Sequence, residues 1–183
     1  EPIIRAIASV KTKKPKLIWL TPSGKQFTNQ TARKFASKKQ DLIIICGRYE
    51  GIDARVKSVF KKQIREISVG PFVLTGGELP IMVIIDAITR LLPGALGDAD
   101  SADQDSFVHG LLDHPHYTRP EIWADLKVPE VLLGGDHKAI GEWRLKHSLG
   151  QTWLKRPDLL KNRHLSTLEQ NLLKEFINEC QKI

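Results

Sequence analysis

Asp41-Leu42-Ile43-Ile44-Ile45-Cys46-Gly47 is the stretch that decides the fold class. Four apolar residues lead to Cys46 with no polar alternation, and Gly47 ends the run. A continuous apolar run of this length suits a parallel strand covered on both faces. Upstream, Lys16–Leu20 reads as a second short strand, followed by the turn Thr21-Pro22-Ser23-Gly24. Between them, Thr28–Lys39 carries Ala32, Phe35 and Ala36 at helical spacing. Downstream, Gly51–Lys62 reads as a helix and Ser68–Leu74 as a strand ending in Thr75-Gly76-Gly77. Leu79–Leu92 then reads as a strong helix, with Pro80 in its first turn where a missing N–H costs nothing. Strand–helix alternation predicts an α/β fold with a mainly parallel sheet. The junctions Leu20-Thr21-Pro22, Cys46-Gly47-Arg48 and Leu74-Thr75-Gly76-Gly77 then share one sheet edge, where open α/β sheets bind ligands.

The second half of the sequence has a different texture. Residues 95–113 are small, acidic and glycine-containing, and read as a long exposed loop of the kind that is usually functional. Asp136–Leu149 reads as a helix with Asp136 as N-cap and Gly150 just past its end. Leu165–Cys180 reads as another, with a capping box at Ser166–Glu169 and an apolar stripe of Leu168, Leu172, Leu173 and Phe176. Residues 114–183 thus form a small helical unit. No apolar run approaches the roughly 20 residues that span a bilayer. Two distant cysteines, Cys46 and Cys180, with no visible secretory signal, point to a reducing cytoplasm.

Charge is unevenly spread over the 183 residues, which carry a net +7. Residues 1–48 hold 11 Lys/Arg against 2 Asp/Glu; residues 78–113 hold 1 against 7. A basic protein with one acidic segment suggests a polyanionic partner and a separate chemical site. The ordinary signatures of phosphate-loop, hydrolase, zinc-protease and dinucleotide sites are absent. Three glycine-bearing turns follow three strands, however, and glycine lets a ligand approach the backbone closely. Asp113-His114-Pro115-His116 has metal-ligand residue types but no distal third ligand, so it reads as a polar loop and no tightly bound metal is expected. Arg144, Lys146, Lys155, Arg156, Lys161 and Arg163 make a basic face suited to phosphates. A helix-turn-helix DNA reader over residues 136–181 is a competing reading.

Six segments taken together are more specific. Gly47–Asp53 (GRYEGID) and Ser68–Pro80 (SVGPFVLTGGELP) closely resemble segments of the bacterial tRNA (guanine-N1)-methyltransferases. So do Asp105–Phe107, Gly110–Asp113, Pro115–Pro120 (PHYTRP) and Trp143–Lys146, in the same order along the chain. The resemblance runs from about Lys16 to the end. It implies the SPOUT class: a deep trefoil knot in the α/β domain, a homodimer, and S-adenosylmethionine held in a bent form within the knot. It implies methylation of N1 of the guanine just 3′ of the tRNA anticodon.

Carried over residue by residue, the resemblance places cofactor contacts on Leu20, Thr21, Pro22, Gly24, Gly47, Tyr49, Glu50, Ser68, Val69, Gly70, Phe72, Leu74, Gly76, Gly77 and Pro80. It makes Asp105 the base that takes the N1 proton and Arg90 the neighbouring cation. It puts tRNA contacts on His116, Arg119, Arg144, Lys146, Lys155 and Arg156. It divides the chain into a knotted cofactor-binding domain at 1–94, an acidic interdomain loop at 95–113 and a tRNA-binding helical domain at 114–183. Phe72 stands where the family commonly has tyrosine. The family's first strand and a glycine-rich segment precede the region matching Glu1. A catalytically impaired RNA-binding fragment is therefore the alternative within the family.

Overall fold

Three parallel strands organise the first half of the chain. The computed structural model describes residues 1–38, 40–97, 105–161 and 163–181, with Lys62 by its backbone alone. They form two compact units, Glu1–Ala99 and Asp100–Ile183. In chain order the first unit runs α1 (Pro2–Ser9), β1 (Lys16–Gln26), α2 (Asn29–Ala36), β2 (Leu42–Ile45), α3 (Arg55–Phe60), a 3-10 turn (Lys61–Gln63), β3 (Ile64–Ser68) and α4 (Glu78–Thr89). The sheet order is β2-β1-β3. Both pairings are parallel, with Lys16 to Trp19 opposite Leu42 to Ile45 on one side of β1. The core beneath it is Ile18, Leu20, Phe35, Ile67 and Ile84, with Ile18 and Ile84 wholly excluded from water. Thr28 caps α2 by accepting the Thr31 N–H, which starts the helix that carries Phe35 into this core.

The parallel sheet agrees with expectation, and three details differ. The third strand lies at Ile64–Ser68, upstream of the Ser68–Leu74 expected. Arg65 and Glu66 interrupt its apolar run and hide it; Glu66 receives a hydrogen bond from Lys57 Nζ at 2.7 Å. Residues 69–74 are irregular. Second, β1 does not stop at Leu20. Leu20 and Lys25 both pair with Ile67, so Thr21–Gly24 bulges out of a strand that then continues to Gln26. Gly24 permits this, because a Cβ there would stand 2.5 Å from the Ile67 nitrogen. Third, the helix expected over Gly51–Lys62 is confined to Arg55–Phe60, and α1 had no counterpart in the sequence reading.

The second unit contains the hairpin β4 (Ile122–Trp123) and β5 (Leu126–Lys127), a 3-10 turn (Glu130–Leu132), and helices α5 (His137–Lys155), α6 (Pro157–Leu160) and α7 (Thr167–Cys180). Asp136 caps α5 through the Lys138 and Ala139 amides, as expected. The capping box Ser166/Glu169 opens α7, also as expected. Gly150 does not end α5. It sits inside the helix, and a Cβ there would fall 2.4 Å from the Phe176 ring, so the glycine is what lets α5 and α7 close on each other. Leu111, Leu149 and Leu172 form the core of this unit. No helix among the described residues is long and apolar enough to cross a membrane.

Candidate active site

At the bulge of β1 and beyond the carboxyl ends of β2 and β3 lies a cavity of 480 Å³. That is within the usual range for small-ligand sites. Its wall is built from three stretches of chain: Trp19–Pro22, Gly47–Ile52, and Ile67–Gly70 continuing through Phe72–Gly77, with Pro80 at the base. Fourteen of the fifteen residues that the resemblance marks for the cofactor stand on this wall. Gly24 does not; its missing Cβ serves the β-bulge described above. The resemblance did not mark Trp19, Arg48, Gly51, Ile52, Ile67, Val73 or Thr75, which also line the cavity; of these, Arg48 and Thr75 belong to the strand junctions that the sequence places at the ligand-binding edge.

The glycines also have a purpose inside the chain. They let the chain approach itself. A Cβ on Gly77 would lie 2.7 Å from the Cys46 Cα and Cβ and 3.2 Å from the Gly47 nitrogen. With no side chain there, the Gly77 N–H donates to the Gly47 carbonyl at 2.9 Å, and Arg48 and Gly76 form an antiparallel bridge. The loop after β3 is thereby laid against the loop after β2. At the rim, Arg48 Nε donates to Glu78 Oε1 at 2.6 Å. Hydrogen bonding to Arg48 holds the Glu78 carboxyl below the usual carboxylate range, and Glu78 raises the Arg48 guanidinium in turn. The turn after β3 is closed by Ser68, whose hydroxyl donates to the Gly70 carbonyl and accepts the Gly70 N–H.

Cys46 ends β2 at this same point. Burial, aided by the Glu78 carboxylate, pushes its thiol above the ordinary range. The thiolate is the reactive form. At pH 7.5, Ellman's reagent is expected to modify exposed Cys180 first and Cys46 at least about tenfold more slowly. Equal rates for the two thiols, resolved by peptide mapping, would contradict this placement.

In the second unit, Asp105 is half-buried and lines a hollow with His109, Leu111, Leu112, Asp113, Leu145, Ser148 and Arg163. Residues 105–113 are not the loose exposed stretch that composition suggested, and residues 98–104 of the same run lie outside the described residues. Phe107 N–H donates to the Leu111 carbonyl at 2.7 Å, and Asp113 N–H to Ser106 Oγ at 2.9 Å. The hydroxyl of Thr152, wholly buried in α5, accepts the Leu112 N–H at 2.8 Å and donates to Ser148 at 2.6 Å. Arg163 spans from the His109 carbonyl to Glu169 Oε1. Asp103, part of the same acidic run, lies outside the described residues. Arg90, in the first unit, is the C-cap of α4.

The basic residues divide. His116, Arg119 and Arg144 share one groove with Tyr117, Thr118 and Ile140. Lys155 and Arg156 stand at the far end of α5, exposed, with Arg156 paired to Asp158 at 2.6 Å. Lys146 is turned inward: its side chain is 15% exposed and its ammonium holds Glu179 at 2.6 Å, bracing α5 against α7.

A family model described as tRNA (Guanine-1)-methyltransferase TrmD matches residues 1–162. Among curated proteins, a tRNA (guanine-N(1)-)-methyltransferase of Pseudomonas aeruginosa is 56% identical over 167 residues, covering 91% of this chain and 65% of that protein. One from Coxiella burnetii is 54% identical over 182 residues, covering 98% and 73%. One from Pseudomonas fluorescens is 53% identical over 180 residues, covering 97% and 71%. The chain thus spans about two thirds of the length of the relatives it matches.

Proposed function

The chain belongs to the tRNA (guanine-1)-methyltransferase family, and from that premise we propose that it transfers a methyl group from S-adenosylmethionine to N1 of the guanine 3′-adjacent to the tRNA anticodon. The observation that carries the reading is the cavity at the bulge of β1 and the ends of β2 and β3, where the residues matching the family's cofactor contacts converge. The fit is reasonable on chemical grounds. Turn amides and carbonyls offer hydrogen bonds to an adenine edge, and the 480 Å³ volume suits a nucleoside-sized ligand. When bound, S-adenosylmethionine supplies a methyl group activated on a sulfonium. The contact of the loop after β3 with the loop after β2 supports a knotted path for this stretch.

In neutral guanine N1 carries a proton, so a base must remove it as the new bond forms. Asp105 takes this role, and Arg90 stabilises the negative charge that develops on the purine. The groove of His116, Arg119 and Arg144 receives the tRNA backbone, with Lys155 and Arg156 adding positive charge. On this reading the functional division is 1–94 for the cofactor, 95–113 for the acidic base-bearing segment and 114–183 for tRNA, in a cytoplasmic enzyme.

The homodimer is supported by an unpartnered apolar face on α4. Leu79, Met82, Val83 and Ile85 are each more than half exposed. Exposed apolar patches of this kind mark interaction surfaces. Met82→Glu, at a position 64% exposed, should leave the single-chain fold intact and convert a species of twice 20.6 kDa into one of 20.6 kDa by sedimentation equilibrium. A monomer before substitution, or a dimer unaffected by it, removes this element.

The activity itself is tested by methyl transfer from labelled S-adenosylmethionine to tRNA transcripts carrying guanine or adenine 3′ of the anticodon. Label should enter the guanine transcript alone. Cofactor binding without transfer would favour the silent RNA-binding reading, and no cofactor binding would remove the cavity from the proposal; the family match leaves no observation in favour of the DNA-binding reading.

A further inference from the structure

We propose that Asp113, His114 and His116 form a binding site for a first-row divalent transition-metal ion such as Zn²⁺. The sequence alone offered no distal third ligand. In the structure the three residues of the motif itself converge, because the residue preceding the two histidines folds back between them.

One donor atom from each of these residues lies within 4.8 Å of the others. His116 Nε2 stands 2.8 Å from Asp113 Oδ2, and His114 Nε2 stands 3.7 Å from Asp113 Oδ1. Tetrahedral bonds of about 2.0–2.1 Å need donors roughly 3.4 Å apart. A small rotation of the His116 side chain, which is 70% exposed, meets that requirement. His114 and Asp113 are already held, at 13% and 22% side-chain exposure.

The protonation pattern points the same way. His114 Nδ1 lies 3.0 Å from the Pro115 carbonyl. A carbonyl oxygen only accepts, so Nδ1 is the donor there and Nε2 is left facing Asp113 Oδ1 at 3.7 Å, a placement that two ligands of one ion would share. A carbonyl fixing the non-ligating nitrogen is also how metal-binding histidines are usually oriented. The His114 N–H donates to Asp113 Oδ1 at 2.7 Å and fixes the carboxylate in turn. Two imidazoles and a carboxylate select zinc-like ions over magnesium, which prefers an all-oxygen shell. A bound dication would leave coordination positions open toward the groove containing Arg119 and Arg144, where a phosphate could complete the shell.

The test is calorimetric titration of the whole chain with Zn²⁺ in a Cys180→Ser background, which removes an exposed competing thiol. One equivalent should bind. His116→Gln, at an exposed position, should preserve the fold and weaken binding by about 10- to 100-fold or more, as should His114→Ala. His164→Ala, which alters a histidine outside the cluster, should have no effect. A hundredfold excess of Mg²⁺ should not displace the zinc. Unchanged affinity in both cluster variants, or displacement by Mg²⁺, would overturn the proposal. For a His114→Ala protein that misfolds by circular dichroism, X-ray absorption at the zinc edge of the parent decides. Two imidazole ligands support the site, and none refute it.

Discussion

Gly77→Val is expected to weaken S-adenosylmethionine binding by roughly thirty- to 150-fold in calorimetry while the protein still unfolds in one transition at a lowered temperature. The effect begins inside the chain. The first side-chain atom at 77 would meet the Cys46 Cα and Cβ at 2.7 Å, and these belong to the end of a core strand with no freedom to retreat. The loop after β3 must move instead. It loses the Gly77 N–H bond to Gly47 and the Arg48–Gly76 bridge, and the two walls of the cavity separate. Overpacking of this kind costs about 1–3 kcal/mol. If two or three backbone contacts to the cofactor are lost together, at about 1 kcal/mol each, affinity falls roughly thirty- to 150-fold. Gly76→Ala is the internal control. Its Cβ meets the end of the Glu78 side chain, which can swing away, so its effect should be much smaller. Near-native affinity in a folded Gly77→Val protein would mean that the cofactor does not use this cavity.

The same glycines show where sequence reading stops. Their position in turns after strands was legible, because Gly76-Gly77 and Gly47 interrupt apolar runs. Their tight approach to Cys46 and Gly47 was not, since a glycine that admits a ligand and one that admits another stretch of backbone look alike in one dimension. Gly150 makes the point again: just past Leu149 it resembles a terminator, yet it is the contact where Phe176 meets α5. The β3 strand was missed because Arg65 and Glu66 sit in a strand with one charged side chain solvated and the other paired to Lys57. The Asp105 segment was misjudged for a similar reason. Composition reports its acidity, but its order comes from Thr152, some forty residues away, and from Arg163. The elements read correctly, the start of β1, β2, α4 and the caps of α5 and α7, are those whose signals are local.

Asp105→Asn should leave cofactor affinity unchanged and reduce methyl transfer by roughly 10²- to 10⁴-fold, the range for a lost general base. Asparagine keeps the shape of the side chain and one acceptor oxygen, and the segment around it is held by backbone bonds that do not involve the carboxylate. What it cannot do at neutral pH is accept the N1 proton. Single-turnover transfer, read as a ratio to the unaltered chain in the same assay, isolates that step from product release. Asp103→Asn supplies the charge control. It also removes one negative charge from the acidic run, two residues away, so any effect on tRNA affinity through the local field should appear in both variants. Only Asp105→Asn should change the rate once tRNA is saturating. If the two variants lose rate equally at saturating tRNA, the run acts through its field, and the base must be sought elsewhere, with Asp113 in the same hollow the first position to examine.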